Sequence, residues 1–155
     1  MCIRDRVFTT HLQSVLFKPK DFRSVEIIQN AEDSLLEASR SLAKKLKNAL
    51  GLRGYQADTV RRWVDASPYP SVICGDFNDV PNSYTYFHIR GNLQDAFIKK
   101  CFGIGRTYIH ISPTLRIDYI LPSKDFFIVQ TMKLNVKFSD HYAVITDLQL
   151  LDSKR

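Results

Sequence analysis

Apolar and polar positions along this chain mark out its elements before any chemistry is considered. Residues 7–12 read as a strand ending at His11, followed by a loop over 13–22 in which Pro19 is the punctuation. Over 24–50 the apolar residues Ile28, Leu35, Leu42, Leu46 and Leu50 recur at helical spacing. Gly51 stands where a helix C′ residue would, and Lys44, Lys45 and Lys47 precede it, where the helix dipole favours cations. A second helix is expected over about 56–66, with Ala57, Val60 and Val64 inward and Pro68 and Pro70 closing it. Ser71-Val72-Ile73-Cys74 reads as a buried strand that Gly75 ends. Pro81-Asn82-Ser83 is a turn and cap for a short helix over 84–89, and a further short helix is expected over 93–99. Residues 107–111 suggest a strand stopped by Pro113. Residues 116–121 alternate cleanly, with Ile117, Tyr119 and Leu121 on one face and Arg116, Asp118 and Ile120 on the other. More strand is expected over 126–129, 131–136 and 142–150. Helices separate the early strands and the late strands run together, which predicts a layered α/β (α+β) fold.

Polar residues follow the 71–74 strand at once, as Gly75-Asp76-Phe77-Asn78-Asp79. Ligands and catalytic groups collect where the strands of an α/β sheet end. Asp76 and Asn78 alternate with Phe77, so both side chains can enter one pocket while Phe77 anchors the turn. A carboxylate can orient water or hold a metal, and an amide can donate to phosphate oxygens. Taken alone, the stretch is equally a loop with Asx turns.

Composition narrows the picture. The 155 residues suffice for one domain, and 45% hydrophobic with 12% aromatic content excludes a disordered chain. The formal charge of +6 suits an anionic substrate without requiring one. Three cysteines, Cys2, Cys74 and Cys101, lack C-x-x-C spacing and argue against a disulfide framework or zinc site. No apolar run reaches the ~18 residues of a transmembrane helix, and no targeting signal is legible. Gly103-Ile104-Gly105-Arg106-Thr107 is not a dinucleotide loop, because no helix pattern follows; it reads as a surface loop.

Two downstream stretches, Arg116-Ile117-Asp118-Tyr119-Ile120-Leu121 and Ser139-Asp140-His141, combine with Thr10-His11-Leu12 and Gly75-Asp76-Phe77-Asn78-Asp79 into an ordered set. The set resembles the endonuclease/exonuclease/phosphatase superfamily over residues 7 to about 150. The resemblance implies part of a four-layer α/β sandwich of the deoxyribonuclease I-like type, mostly one sheet with its outer helices. It implies a metal-dependent phosphoesterase that hydrolyses phosphodiesters, with nucleic acid, phospholipid head groups, inositol phosphates and nucleotides as substrate classes. By resemblance, Asp76 orients and deprotonates the attacking water, and Asn78 hydrogen-bonds the scissile phosphate and positions Asp76. His141 contacts the phosphate with Asp118 on its other ring nitrogen, and His11 contacts phosphate. Asp140, with Asp76, helps bind the metal, Mg²⁺ or Mn²⁺, consistent with oxygen donors and no Cys or His cluster. Ala143 stands where many members have Pro.

The family pattern carries an Asn and a Glu metal ligand upstream of T-H-L, for which this chain has no room. Residues 1–6 carry three charges and abut the strand-like Val7-Phe8-Thr9-Thr10, so they are expected to be a foreign or artefactual leader. Residues 7–151 would be the C-terminal part of the domain, inactive alone, and 152–155 a tail. The competing function is a non-catalytic anion-binding module that kept the fold. Other site residues also have a plain structural reading: His11 as an edge histidine, Ser-Asp-His as a turn. Asp118 resists one, since a buried lone carboxylate is costly without a partner. No G-x-S-x-G elbow supports a serine hydrolase, and no interleaving of aromatic and basic residues marks a stacking platform. His88 and His110 have no partner that the sequence names, and Tyr119 and Tyr142 read as core or rim.

Overall fold

The computed structural model describes residues 5–15, 35–110, 114–136 and 138–151. Strand β1 (Arg6–His11) leads by way of helix α1 (Leu35–Asp65) to β2 (Ser71–Asp76), which lies parallel to β1. Two short helices follow, α2 (Tyr84–Arg90) and α3 (Ala96–Lys100), then β3 (Asp118–Pro122), antiparallel to β2. These strands form one sheet in the order β1-β2-β3. Strands β4 (Phe126–Leu134) and β5 (Ala143–Leu150) form a second, antiparallel sheet with an irregularity between Ile128 and Gln130.

The core follows from strand alternation. Ile73, Tyr119 and Leu121 project to one face, where Ala57 and Val64 of α1 and Tyr86 and Ile89 of α2 cover them. Phe77 and Tyr86 flank the Tyr119 ring at 4.8 and 4.9 Å. Burial drives the Tyr119 phenol far above its ordinary pKa, and its hydroxyl lies 2.9 Å from the Asp79 carbonyl and 2.8 Å from that of Arg116. Arg116 is itself buried, with Nη1 2.9 Å from Asp95 Oδ2 and its guanidinium against the Tyr119 and Phe97 rings. The Tyr86 hydroxyl donates to the same carboxylate at 2.7 Å. Burial and that carboxylate push the phenol up to about 12. The Arg116–Asp95 pair thus fixes the start of β3 against α2 and α3.

Four sequence expectations change, the first being that β2 runs through Gly75 to Asp76 instead of ending at the glycine. The two helices expected over 24–50 and 56–66 are, within the described residues, one continuous helix, and Gly51 lies inside it; Ile28 and Pro19 lie outside the described residues. Leu42, Ala49, Arg53, Ala57 and Val64 form one buried stripe through both parts. A mid-helix glycine costs about 1 kcal/mol, less than burying that stripe returns. Gly54 lies 3.9 Å from the Tyr84 ring by its would-be Cβ, so α2 approaches closely there. The strands expected over 126–129 and 131–136 are one bulged strand. The strand expected over 107–111 reduces, in its described part, to a single bridge between Tyr108 and His141. The helices at 84–89 and 93–99 are present with small shifts, capped by Ser83 and Asp95.

Candidate active site

His11, Asp76 and Asp118 are lateral neighbours on three adjacent strands. His11 pairs with Asp76 across β1 and β2, and Asp76 pairs with Asp118 across β2 and β3. Paired positions send their side chains off the same face of a sheet, so the ladder itself gathers these groups. Gly75 permits the close approach of β1. Its φ is 137°, and a Cβ there would lie 1.9 Å from the Thr10 carbonyl oxygen, so no other residue fits.

The turn after β2 aims the Asp76 carboxylate. The Asn78 N–H donates to Oδ1 at 2.6 Å, and the Asn78 side-chain amide donates to Oδ2 at 3.1 Å. The same amide group reaches the Leu12 carbonyl at 3.0 Å, tying the turn to the end of β1. Asn78 takes the left-handed φ of 51° that asparagine tolerates. Phe77 is fully buried beneath. The Asx turn and the ligand-ready carboxylate are thus one structure.

His141 Nδ1 lies 2.9 Å from Asp118 Oδ2, and its Nε2 lies 3.9 Å from Asp76 Oδ2. His11 Nε2 lies 3.8 Å from the same Asp76 oxygen, on a largely exposed ring. Burial opposes charge on His141, but the hydrogen bond and charge of Asp118, with Asp76 and Asp140, outweigh it and raise its pKa above the usual imidazole value. Asp76 is raised above the usual carboxylate value, chiefly by burial and further by the Asp118 charge, against the Asn78 N–H and the two histidines. His11, Asp76 and His141 open on a cavity of about 830 Å³, which Asn78, Asp140 and Tyr108 also line. Leu46, Leu50 and Leu115 give that cavity an apolar part.

Asp76, Asp118 and His141 each offer a ligand atom, all within 4.8 Å of one another, a group that could hold a metal ion. Asp140 lies outside that trio. It lines the same cavity, is exposed, and accepts from the Ser139 hydroxyl at 3.1 Å.

The profile of the Endonuclease/Exonuclease/phosphatase family matches residues 39–141, about two thirds of the chain. The chain belongs to this family. Solved structures agree on the fold. A mannosyl-6-phosphatase of Bacteroides thetaiotaomicron is similar with a TM-score of 0.53 at 22% identity, over 64% of this chain and 46% of that one. An endonuclease/exonuclease/phosphatase of Bacteroides vulgatus gives 0.56 at 23% identity, over 64% and 44%. One from Beutenbergia cavernae gives 0.50 at 26% identity, over 69% and 32%. The match therefore spans less than half the length of each of these family structures. A comparison with curated proteins finds no match.

Set against the endonuclease/exonuclease/phosphatase pattern, the structure brings together His11, Asp76, Asn78, Asp118 and His141, with Asp140 at the margin. Asp118 has the partner that its position in an apolar strand demanded. His88, which the sequence left without one, has Nε2 3.1 Å from Asp58 Oδ1 and stacks on Tyr84. His110 stays exposed, with Tyr108 at 5.7 Å. Cys74 is half-buried, and Cys2 lies outside the described residues. Sequence reasoning missed Arg53, a buried cation on α1 that donates to Asp79 at 3.2 Å and to the Gln13 carbonyl at 3.1 Å, fastening both loops at the cavity. It also missed Tyr108, whose ring stands edge-on to His141 at 5.0 Å. Nothing in the local pattern singles out either residue.

Proposed function

We propose that this site is that of a metal-dependent phosphoesterase that hydrolyses phosphodiesters by direct attack of water. One observation carries the reading: a carboxylate raised by burial, Asp76, stands within 4 Å of two imidazole nitrogens, and one of those rings is held by a second carboxylate. Asp76 accepts a proton as water attacks phosphorus. A phosphorus–oxygen bond forms to water and the bond to the leaving oxygen breaks. Asn78 fixes the orientation of Asp76 and can donate to a phosphate oxygen. His141, kept charged by Asp118, stabilises the negative charge that builds on phosphorus oxygens. We assign His11, exposed at the rim, to contact with phosphate and assistance of the leaving group.

The donors fit a hard divalent cation. Three carboxylates, Asp76, Asp118 and Asp140, crowd one imidazole and leave excess negative charge. Asp140 and Asp76 are the residues proposed to hold Mg²⁺ or Mn²⁺, which supplies charge neutralisation at the phosphate oxygens when bound. The name of the Bacteroides phosphatase supports a phosphate-ester substrate and brings monoesters beside diesters.

The test is hydrolysis of bis-p-nitrophenyl phosphate and p-nitrophenyl phosphate by the full-length gene product, after chelation and after Mg²⁺ or Mn²⁺ is restored. Turnover that vanishes with chelator and returns with the cation is expected. Anion binding without turnover under any metal would favour the non-catalytic module instead.

A further inference from the structure

We propose that Thr107 is a positioning residue for the Asp118–His141 pair, an inference that rests on reading this pair as part of a phosphoesterase site. Asp118 opens β3 in one sheet and His141 precedes β5 in the other, and β3 and β5 are not hydrogen-bonded neighbours. The segment around Thr107 spans the two. On one side the buried Thr107 hydroxyl accepts the backbone N–H groups of Ile117 at 3.0 Å and of Asp118 itself at 3.2 Å. The Thr107 N–H donates to the Leu115 carbonyl at 2.9 Å. On the other side the Thr107 carbonyl accepts from the Tyr142 N–H at 2.7 Å, and the Ile109 N–H donates to the Asp140 backbone carbonyl at 2.9 Å.

One residue therefore grips the backbone of Asp118 with its side chain and the backbone next to His141 with its main chain. The contact it sets is 2.9 Å long. A hydrogen bond of that length does not survive a shift of about 1 Å between its partners. Valine has nearly the shape of threonine and cannot accept those two N–H groups. Serine keeps the oxygen and loses the methyl. The pair of substitutions separates hydrogen bonding from packing.

The experiment compares Thr107→Val, Thr107→Ser and, as a control for general loosening, Thr85→Val, a buried threonine on α2 outside the cavity. The full-length gene product is used. The first readout is the downfield proton resonance of His141 Nδ1–H bound to Asp118. The second is kcat and KM on bis-p-nitrophenyl phosphate. The resonance is expected in the wild type, Thr107→Ser and Thr85→Val, and lost in Thr107→Val. The fall in kcat for Thr107→Val should be about 10- to 100-fold with KM little changed, the range for losing a group that orients a site residue. Retention of the resonance and of kcat in Thr107→Val overturns the proposal. So does an equal loss in Thr107→Ser, which also decides the matter if the valine variant does not fold. A wild type that shows the resonance but hydrolyses no phosphate ester refutes the phosphoesterase reading, while the resonance in the variants still judges Thr107.

Discussion

His141 and Asp118 lie 23 positions apart in sequence, yet Nδ1 of one is 2.9 Å from Oδ2 of the other. The contact makes each residue useful through the other. The carboxylate holds the ring with Nε2 towards Asp76, and the ring neutralises a carboxylate inside an apolar strand. Asp118→Asn and His141→Ala should therefore be strongly non-additive. Turnover measured in a double-mutant cycle should fall in the double variant about as far as in the worse single variant. Losses that multiply would show two independent residues.

The same contact sets a pH dependence. In the metal-free protein burial raises the Asp76 pKa above 3.8, so its carboxyl should titrate above the usual carboxylate range by NMR, and added Mg²⁺ should lower it. His141 acts charged, and despite burial Asp118 raises it above 6.5, so the alkaline limb should lie above the usual imidazole value. The sign for stability is the same for His141. Its contribution is complete below the unfolded value and disappears as pH rises through the higher folded one. In Asp118→Asn the alkaline limb should move down towards neutral imidazole. A limb that stays in place, read from the residual kcat/KM profile, would remove Asp118 from the account.

The second sheet carries a prediction about the 155-residue chain expressed alone. Met132 lies directly opposite Ile145 across β4 and β5, with Leu134 one same-face pair further on, and all three are exposed. A contiguous apolar face of this kind promotes association. The protein should self-associate, as read by light scattering after size-exclusion chromatography. Ile145→Lys, which places a charge on that face, should raise the monomer fraction. A monodisperse wild-type monomer would contradict this.

The candidate site was legible mainly through resemblance, from four short motifs in family order, while Gly75-Asp76-Phe77-Asn78-Asp79 alone reads equally as a loop with Asx turns. Asp76 ends β2, Asn78 follows in the turn and Asp118 opens β3, so the sheet rather than the local pattern brings these residues together. The continuity of α1 was not legible. Gly51 is a genuine local stop signal, overridden by the burial of Ala57 and Val64 on a surface that the local sequence does not show. Arg53 and the Asp95 partner of Arg116 were hidden for the opposite reason. A charged residue reads as solvent-facing until the fold supplies the carboxylate and the aromatic rings that make its burial tolerable. Thr107 shows a third limit. Its two acceptor bonds go to residues 10 and 11 positions away, and no motif encodes them.

Asp76 is the residue proposed to activate water as the general base. Asp76→Asn keeps the shape of the side chain and removes its charge. In the full-length gene product at saturating Mg²⁺, kcat on bis-p-nitrophenyl phosphate should fall by about 10²- to 10⁴-fold, as expected for loss of a general base, with a thermal melt close to that of the wild type. Retention of most of the wild-type turnover would contradict the account.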